Sequence, residues 1–317
     1  MLQALIKLTH RFKQRVTRGR IIAMAMLLPL WASTSLPPAA AGIAHPFPPY
    51  VIFNTAWQIV INSNNQGNQI GNLIASNADG LDQAGYEDCW FESAVGAVAT
   101  TYRGQNIISR MITSAGADAY EVKFRDMPDQ PIMVSGTEIA NDKLKDKAYW
   151  AQVLEAAVLK RFPALRNGLS GNAAVTQQFG LQADLQVGLK LLTRKDPTIM
   201  RTSEMREQDL SRLLVENQRL QLATVAGTYS QAQMPDPKRI LMVPQHAFAV
   251  LYFNRRTAEV VVRNPWGHNN APKFPDLVKE GQTVDGIHDI GGGVIRMPLK
   301  TFKKYFRRIA WSTLVGA

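Results

Sequence analysis

A single cysteine in 317 residues, Cys89, rules out an internal disulfide in this chain. The fold therefore rests on a packed core. Hydrophobic residues make up 46% and charged residues 19%, enough for one large domain or two smaller ones. That balance excludes disorder along the whole chain. A sulfur with no second cysteine in its own chain has three remaining uses: packing, metal binding or chemistry.

The formal charge of +11 is unevenly spread. Six cations, Lys7, Arg11, Lys13, Arg15, Arg18 and Arg20, fall in the first 20 residues, and no Asp or Glu occurs before Asp79. An uncharged apolar run from Ile21 to Ala32 follows, then small residues ending at Ala39-Ala40-Ala41. A basic start, a short apolar stretch and an Ala-x-Ala exit read as a secretory signal over residues 1–41. The run is shorter than the ~20 residues a membrane span needs, so we expect cleavage near Ala41 and no stable membrane insertion. Removing the six cations leaves about +5, an ordinary balance that argues for no nucleic-acid partner. The expected location is secreted or periplasmic, where conditions are oxidising.

Residues 42–79 form an irregular extension rich in Pro and Asn, with one short strand candidate, Trp57 to Asn62. From Cys89 onward Trp90, Phe91, Ala94, Val95 and Val98 recur at helical spacing, with an end expected near Arg103-Gly104. Tyr120 to Phe124 and Pro131 to Val134 read as strands, and Lys147 to Phe162 as a helix. Gly168 and Gly171 then break the pattern, which puts a lobe boundary there: 80–170 and 171–317. The second half is richer in strands. Ala247 to Phe253, a turn at Asn254 to Thr257, and Glu259 to Arg263 predict a hairpin. Val294 to Met297 predicts a further strand. Leu299, Phe302, Phe306 and Ile309 predict a helical stripe with Lys303, Lys304, Arg307 and Arg308 on a solvated face. Helices first and strands later give an α+β, two-lobed expectation.

Within this layout three polar residues stand where a thiol nucleophile would need them. Cys89 opens a helix, whose N-terminal partial charge favours thiolate. His246 opens one strand of the hairpin and Asn264 follows the other. A histidine beside the thiol stabilises the ion pair and returns a proton to a leaving amine. An asparagine can orient the imidazole, and Trp266 can shield that bond from water. Gln83, with the Cys89 backbone N–H, can form an oxyanion hole. Taken singly each residue has a plainer role: Cys89 and Trp90 as core, His246 as a satisfied core histidine, Asn264 as a turn former. The combination and its order favour chemistry. Glu92 faces either cleft or solvent on this reading. His268, His288, Asp285 and Asp289 lack metal-site spacing, and Gly291 to Gly293 does not open a phosphate-binding helix.

Gln83 to Phe91 resembles the calpain form of the papain nucleophile motif, with Asp88-Cys89-Trp90-Phe91 in place and Glu87 where glycine is usual. Arg263-Asn264-Pro265-Trp266-Gly267 resembles the calpain asparagine motif. The Trp150 to Ala157 helix and the segment Gly293 to Ile309 resemble further parts of that protease core. The resemblance covers about residues 80–310. It implies a two-lobed papain-like fold and a cysteine endopeptidase acting on protein or peptide substrates, with Cys89, His246 and Asn264 as the catalytic set and Gln83 in the oxyanion hole. Calpains carry glycine before the histidine where this chain has Gln245, which bears on specificity. The sequence itself requires no cofactor. The resemblance admits calcium, but no EF-hand pattern occurs and no ligand can be assigned. Two other readings remain open here: transglutaminase- or deamidase-type acyl transfer on the same Cys–His pair, against which Asn264 argues, and a catalytically silent binding module.

Overall fold

An eight-stranded antiparallel sheet stands between two hydrophobic cores, and the ends of its strands carry the polar residues of interest. The computed structural model describes residues 81–83, 85–146, 148–167 and 184–313. The expected signal and extension, the Trp57 strand candidate and the glycines at the expected lobe boundary lie outside the described residues. The architecture is mixed α+β, with seven helices and two antiparallel sheets among the described residues.

Helix α1 (Cys89–Ala99) is buried at every position from Trp90 to Ala99, the mark of a helix enclosed on all sides. The expected single helix to Gly104 is two. Thr100 and Thr101 turn their hydroxyls onto the carbonyls of Ala97 and Val98. Thr101 then caps a new helix, α2 (Tyr102–Met111), by accepting from the Gly104 N–H. A small sheet follows in the order β1 (Ile112–Ser114), β2 (Ala119–Val122), β3 (Ile132–Ser135). Next come α3 (Gly136–Asp142), opened by a Ser135/Glu138 capping box, and α4 (Tyr149–Arg161).

After α5 (Asp184–Thr193) come β4 (Thr198–Arg201), α6 (Glu207–Arg219), β5 (Thr224–Thr228), β6 (Ala247–Asn254), β7 (Glu259–Arg263), β8 (Thr283–Val284), β9 (Ile287–Gly291) and β10 (Val294–Pro298). The chain closes with α7 (Leu299–Tyr305) and β11 (Phe306–Trp311). The large sheet runs β4-β11-β5-β6-β7-β10-β9-β8. The expected helical stripe from Leu299 to Ile309 is therefore half helix and half strand. Phe306 and Ile309 belong to β11, which gains backbone partners on both sides, β4 and β5. Paired backbone outweighs an apolar spacing that fits a helix on paper. Arg307 and Arg308 accordingly lie on a strand, away from the helix face that carries Lys303 and Lys304.

Strand alternation divides the cores. Val225, Ala247, Ala249 and Ala310 face α1, α4 and α5, while Ala226, Phe248, Val250 and Ile309 face the core beneath α6 and α7. Small residues on the α1 side let the helix approach closely. Helix α5 joins the first core through Leu185, Leu189 and Leu192. It meets α1 at Gly188, where an added Cβ would lie 2.5 Å from the Trp90 carbonyl oxygen and 2.9 Å from the Ala94 Cβ.

Alanine improves intrinsic helix propensity by about 1 kcal/mol over glycine, but forcing these helices apart costs about 1–3 kcal/mol. Gly188→Ala should therefore lower the urea midpoint. An unchanged or raised midpoint would show that the two helices separate without cost.

Candidate active site

The register of β6 on β7 pairs Ala249 with Arg263. Continued past the ladder, it sets His246, just before β6, across from Trp266. The two rings lie 4.4 Å apart and tilted by 46°. His246 and Asn264 are both buried. The imidazole Nε2 lies 2.8 Å from the Asn264 Oδ1. The Asn264 amide nitrogen donates to the His268 carbonyl at 2.9 Å and to the Asn269 Oδ1 at 3.0 Å. The Trp266 N–H donates to the Asn264 Oδ1 at 3.1 Å. These bonds fix the amide orientation: Oδ1 is an acceptor, so His246 Nε2 carries the hydrogen and Nδ1 the lone pair. Burial lowers the His246 pKa to about 4, while the bond to Asn264 acts in the opposite direction.

Asn264 is itself held from below by the β9–β10 turn. Its N–H donates to the Gly293 carbonyl at 2.9 Å. Gly291, Gly292 and Gly293 all have positive φ, 101°, 60° and 76°. A Cβ on Gly293 would come within 2.8 Å of the Asn264 carbonyl oxygen and 3.0 Å of the His268 nitrogen. The backbone before His246 also turns left-handed: Gln245 has φ 48° and is exposed. A non-glycine residue there stores strain.

The segment before Cys89 is tied to this strand end. The Gln83 N–H donates to the Pro265 carbonyl at 2.9 Å, and the Arg263 guanidinium donates to the Leu81 carbonyl at 2.6 Å. Cys89 is half-buried at the first turn of α1 and forms no disulfide. Trp90 lies wholly in the core, edge-on to Phe162 at 5.3 Å. The Gln83 side chain is buried, and its amide nitrogen donates to the Tyr86 carbonyl at 2.6 Å and to the Asp88 Oδ1 at 2.8 Å. Both of its hydrogens are thus directed into its own loop.

Four carboxyls gather behind this loop: Asp88, Glu92, Asp146 and Glu155, all fully buried. Glu92 faces neither cleft nor solvent. It points into the core, and neither of its oxygens meets a donor among the described residues. The Asp82 N–H donates to the Asp146 Oδ1 at 2.6 Å. Glu155 lies close enough to Asp146 to affect its ionisation, and two carboxyls so placed do not readily ionise together. Burial raises Asp88 to about 7, against the hydrogen bond from Gln83. Burial likewise raises Asp146 to about 7, and holds Glu92 well above the usual carboxylate range, with Arg263 opposing in both cases. Asp146 and Glu155 were not singled out in the sequence, and Gly291 to Gly293 were noted only as a run that does not open a phosphate-binding helix. The available signal was Glu155, the one charge in the Val153 to Leu159 run of α4.

Among the described residues no three acidic, histidine or cysteine side chains are arranged to hold a metal ion. His268 Nδ1 accepts from the Asn270 N–H, and His288 Nδ1 lies 2.8 Å from the Thr283 hydroxyl. None of the described helices is long and apolar enough to cross a membrane. Comparison with protein-family models gave no match, and comparison with curated proteins gave none either.

The buried groups set the direction of a pH dependence. Asp88, Asp146 and Glu92 keep protons in the folded state that the unfolded chain loses near pH 4, so their contribution is full below that pH and is lost as pH rises toward 7. His246 works oppositely: its folded pKa of about 4 lies below the unfolded value, so stability is lost as pH falls from about 6.5 to 4. Three groups oppose one, so between about pH 5 and 6.5 folding takes up roughly two protons. Thermal unfolding at a series of pH values should show a higher Tm at pH 5 than at pH 7. A Tm that rises across this interval would mean that the acids are ionised in place.

Proposed function

We propose that this chain is an exported cysteine endopeptidase of the calpain type, with a two-lobed papain-like fold and a cleft where the strand ends meet the head of α1. The observation that carries the reading is the buried His246–Asn264 bond at 2.8 Å, whose amide orientation leaves Nδ1 as the basic nitrogen. That is the chemical state a thiol's base requires. The docking of residues 81–83 on residues 263–267 supports it further, because it ties the loop leading to Cys89 to the same strand end.

In the proposed reaction Nδ1 of His246 takes the proton of the Cys89 thiol. The sulfur attacks the carbonyl carbon of a peptide bond, and the carbonyl oxygen becomes an oxyanion that accepts from the Cys89 backbone N–H and from Gln83. The Cys89 N–H stands at the head of α1, where the first N–H groups of a helix point away from its own carbonyls. The C–N bond then breaks, His246 protonates the departing amine, and a thioester remains on Cys89. Water attacks the thioester with His246 as base, releasing the acid and restoring the thiol. Asn264 keeps the ring in one orientation, and Trp266 excludes water from the bond that does so. The proposed setting is outside the cytoplasm, after removal of residues 1–41.

Treatment of the mature chain with an epoxysuccinyl thiol-protease inhibitor should label Cys89, and Cys89→Ala should abolish cleavage of an unfolded protein. Asn264→Ala should lower kcat on the order of 10²-fold, with the fold retained. Cleavage by Cys89→Ala, or a folded wild-type chain that neither labels nor cleaves, would sink the reading. Labelling with amine incorporation but no chain cleavage would point to acyl transfer instead.

A further inference from the structure

Asp88 stands immediately before the proposed nucleophile, yet its carboxyl does not cap the helix it precedes. It turns back to Gln83, 2.8 Å away. The charge state of Asp88 therefore decides how tightly the Gln83 hydrogen is held. An ionised carboxylate makes a bond roughly twice as strong as a neutral one, and it adds a negative charge beside the place where thiolate and oxyanion would form. A neutral carboxyl releases the donor and adds no charge.

The surroundings favour the neutral form. Glu92 lies on the same helix, Asp146 precedes α4 and Glu155 is on α4, all fully buried. Asp82, Tyr86 and Glu87 lie on the loop itself. Arg263 at the end of β7, which also holds the Leu81 carbonyl, is a cation acting on Glu92 and Asp146. Helices α2 and α5 and strands β5 and β6, the other elements packed on α1, present apolar side chains such as Ile108, Leu189, Val225 and Ala247. Four carboxyls against one guanidinium, with the Glu92 oxygens and the Asp88 Oδ2 lacking donors among the described residues, cannot all stay ionised out of reach of water.

We propose that Asp88 is a positioning residue that has to be neutral for Gln83 to serve the oxyanion, and that the buried carboxyls of Glu92, Asp146 and Glu155 hold it in that form. The inference rests on the peptidase reading. It makes the alkaline limit of turnover a property of the acid cluster, separate from loss of the His246 proton. The burial that raises Asp88 to about 7 supports the same conclusion.

The test measures kcat and KM for peptide hydrolysis from pH 5 to 9, alongside the rate at which iodoacetamide alkylates Cys89, a reaction that needs no oxyanion hole. In the wild-type chain kcat should fall by about tenfold per pH unit once Asp88 ionises, with KM steady and alkylation not falling. Asp88→Asn, which accepts from Gln83 without ever ionising, should keep its kcat at least one pH unit further. Asp88→Ser, equally uncharged, serves the same purpose if the first variant does not fold. Asp146→Asn, which removes a neighbour whose own ionisation near pH 7 opposes that of Asp88, should move the limb to lower pH. An alkaline limb unchanged in the uncharged variants, or alkylation that falls in step with kcat, overturns the proposal. If the wild-type chain hydrolyses no peptide, the peptidase reading fails on its own account, and the cluster is judged by Tm. The wild-type Tm should drop between pH 5 and 8 by more than that of the Asp88 variants, and equal drops overturn the proposal.

Discussion

Two hydrogen bonds fasten residues 81–83 to residues 263–267, Gln83 N–H to the Pro265 carbonyl and Arg263 to the Leu81 carbonyl. They span some 180 positions of sequence, and the candidate site depends on them. Cys89 sits on a helix that packs by shape against a sheet, and such packing alone leaves its end free to shift. His246 and Asn264 sit on strand ends whose positions are set by register. The clasp joins these two reference frames at the point where chemistry would need them aligned to a fraction of an ångström. Arg263 serves it twice over, as donor to Leu81 and as the cation facing the buried acids.

Those acids are the costly part of the arrangement. A core lined by apolar groups would be more stable than one enclosing Asp88, Glu92, Asp146 and Glu155. The protein retains them directly beneath its candidate nucleophile and oxyanion donor, which is where stability is commonly given up for function. The two cores differ accordingly. The one under α6 and α7 is closed by aromatic stacking, with Phe302 and Phe306 at 4.4 Å, whereas the one around α1 is interrupted by ionisable groups.

Much of this was legible in the sequence, and the reasons are local. The β6–β7 hairpin follows from alternation around Asn254 to Thr257, and helices α1 and α4 from spacing. Gln83, Cys89, His246 and Asn264 were named from motif and order, and the His246–Asn264 contact is the part of that set whose geometry is directly on view. What the sequence concealed depended on partners far along the chain. A threonine pair divided one apparent helix into two by bonding its own preceding carbonyls. Phe306 and Ile309 look helical until β4 and β5 supply backbone partners. Glu92 could be assigned neither face because its surroundings come from α4 and β7. The Gln83 amide engages its own loop, an orientation that residue type cannot reveal.

Three consecutive glycines in a hairpin are ordinarily read as slack. Here Gly293 is in contact with the backbone on both sides of the Asn264 turn, and even a methyl group would collide with it. The turn is a template cut to the shape of the segment it supports. At Gly293 its composition is dictated by a neighbour about thirty residues earlier as well as by the left-handed backbone of the turn. Such a place tolerates neither lengthening nor decoration, although it lies on a loop. A lineage of proteins built on this plan could vary the tip at Gly292 only among residues that accept a left-handed backbone, since φ is 60° there although an added Cβ meets nothing within 4 Å, while keeping its neighbour bare.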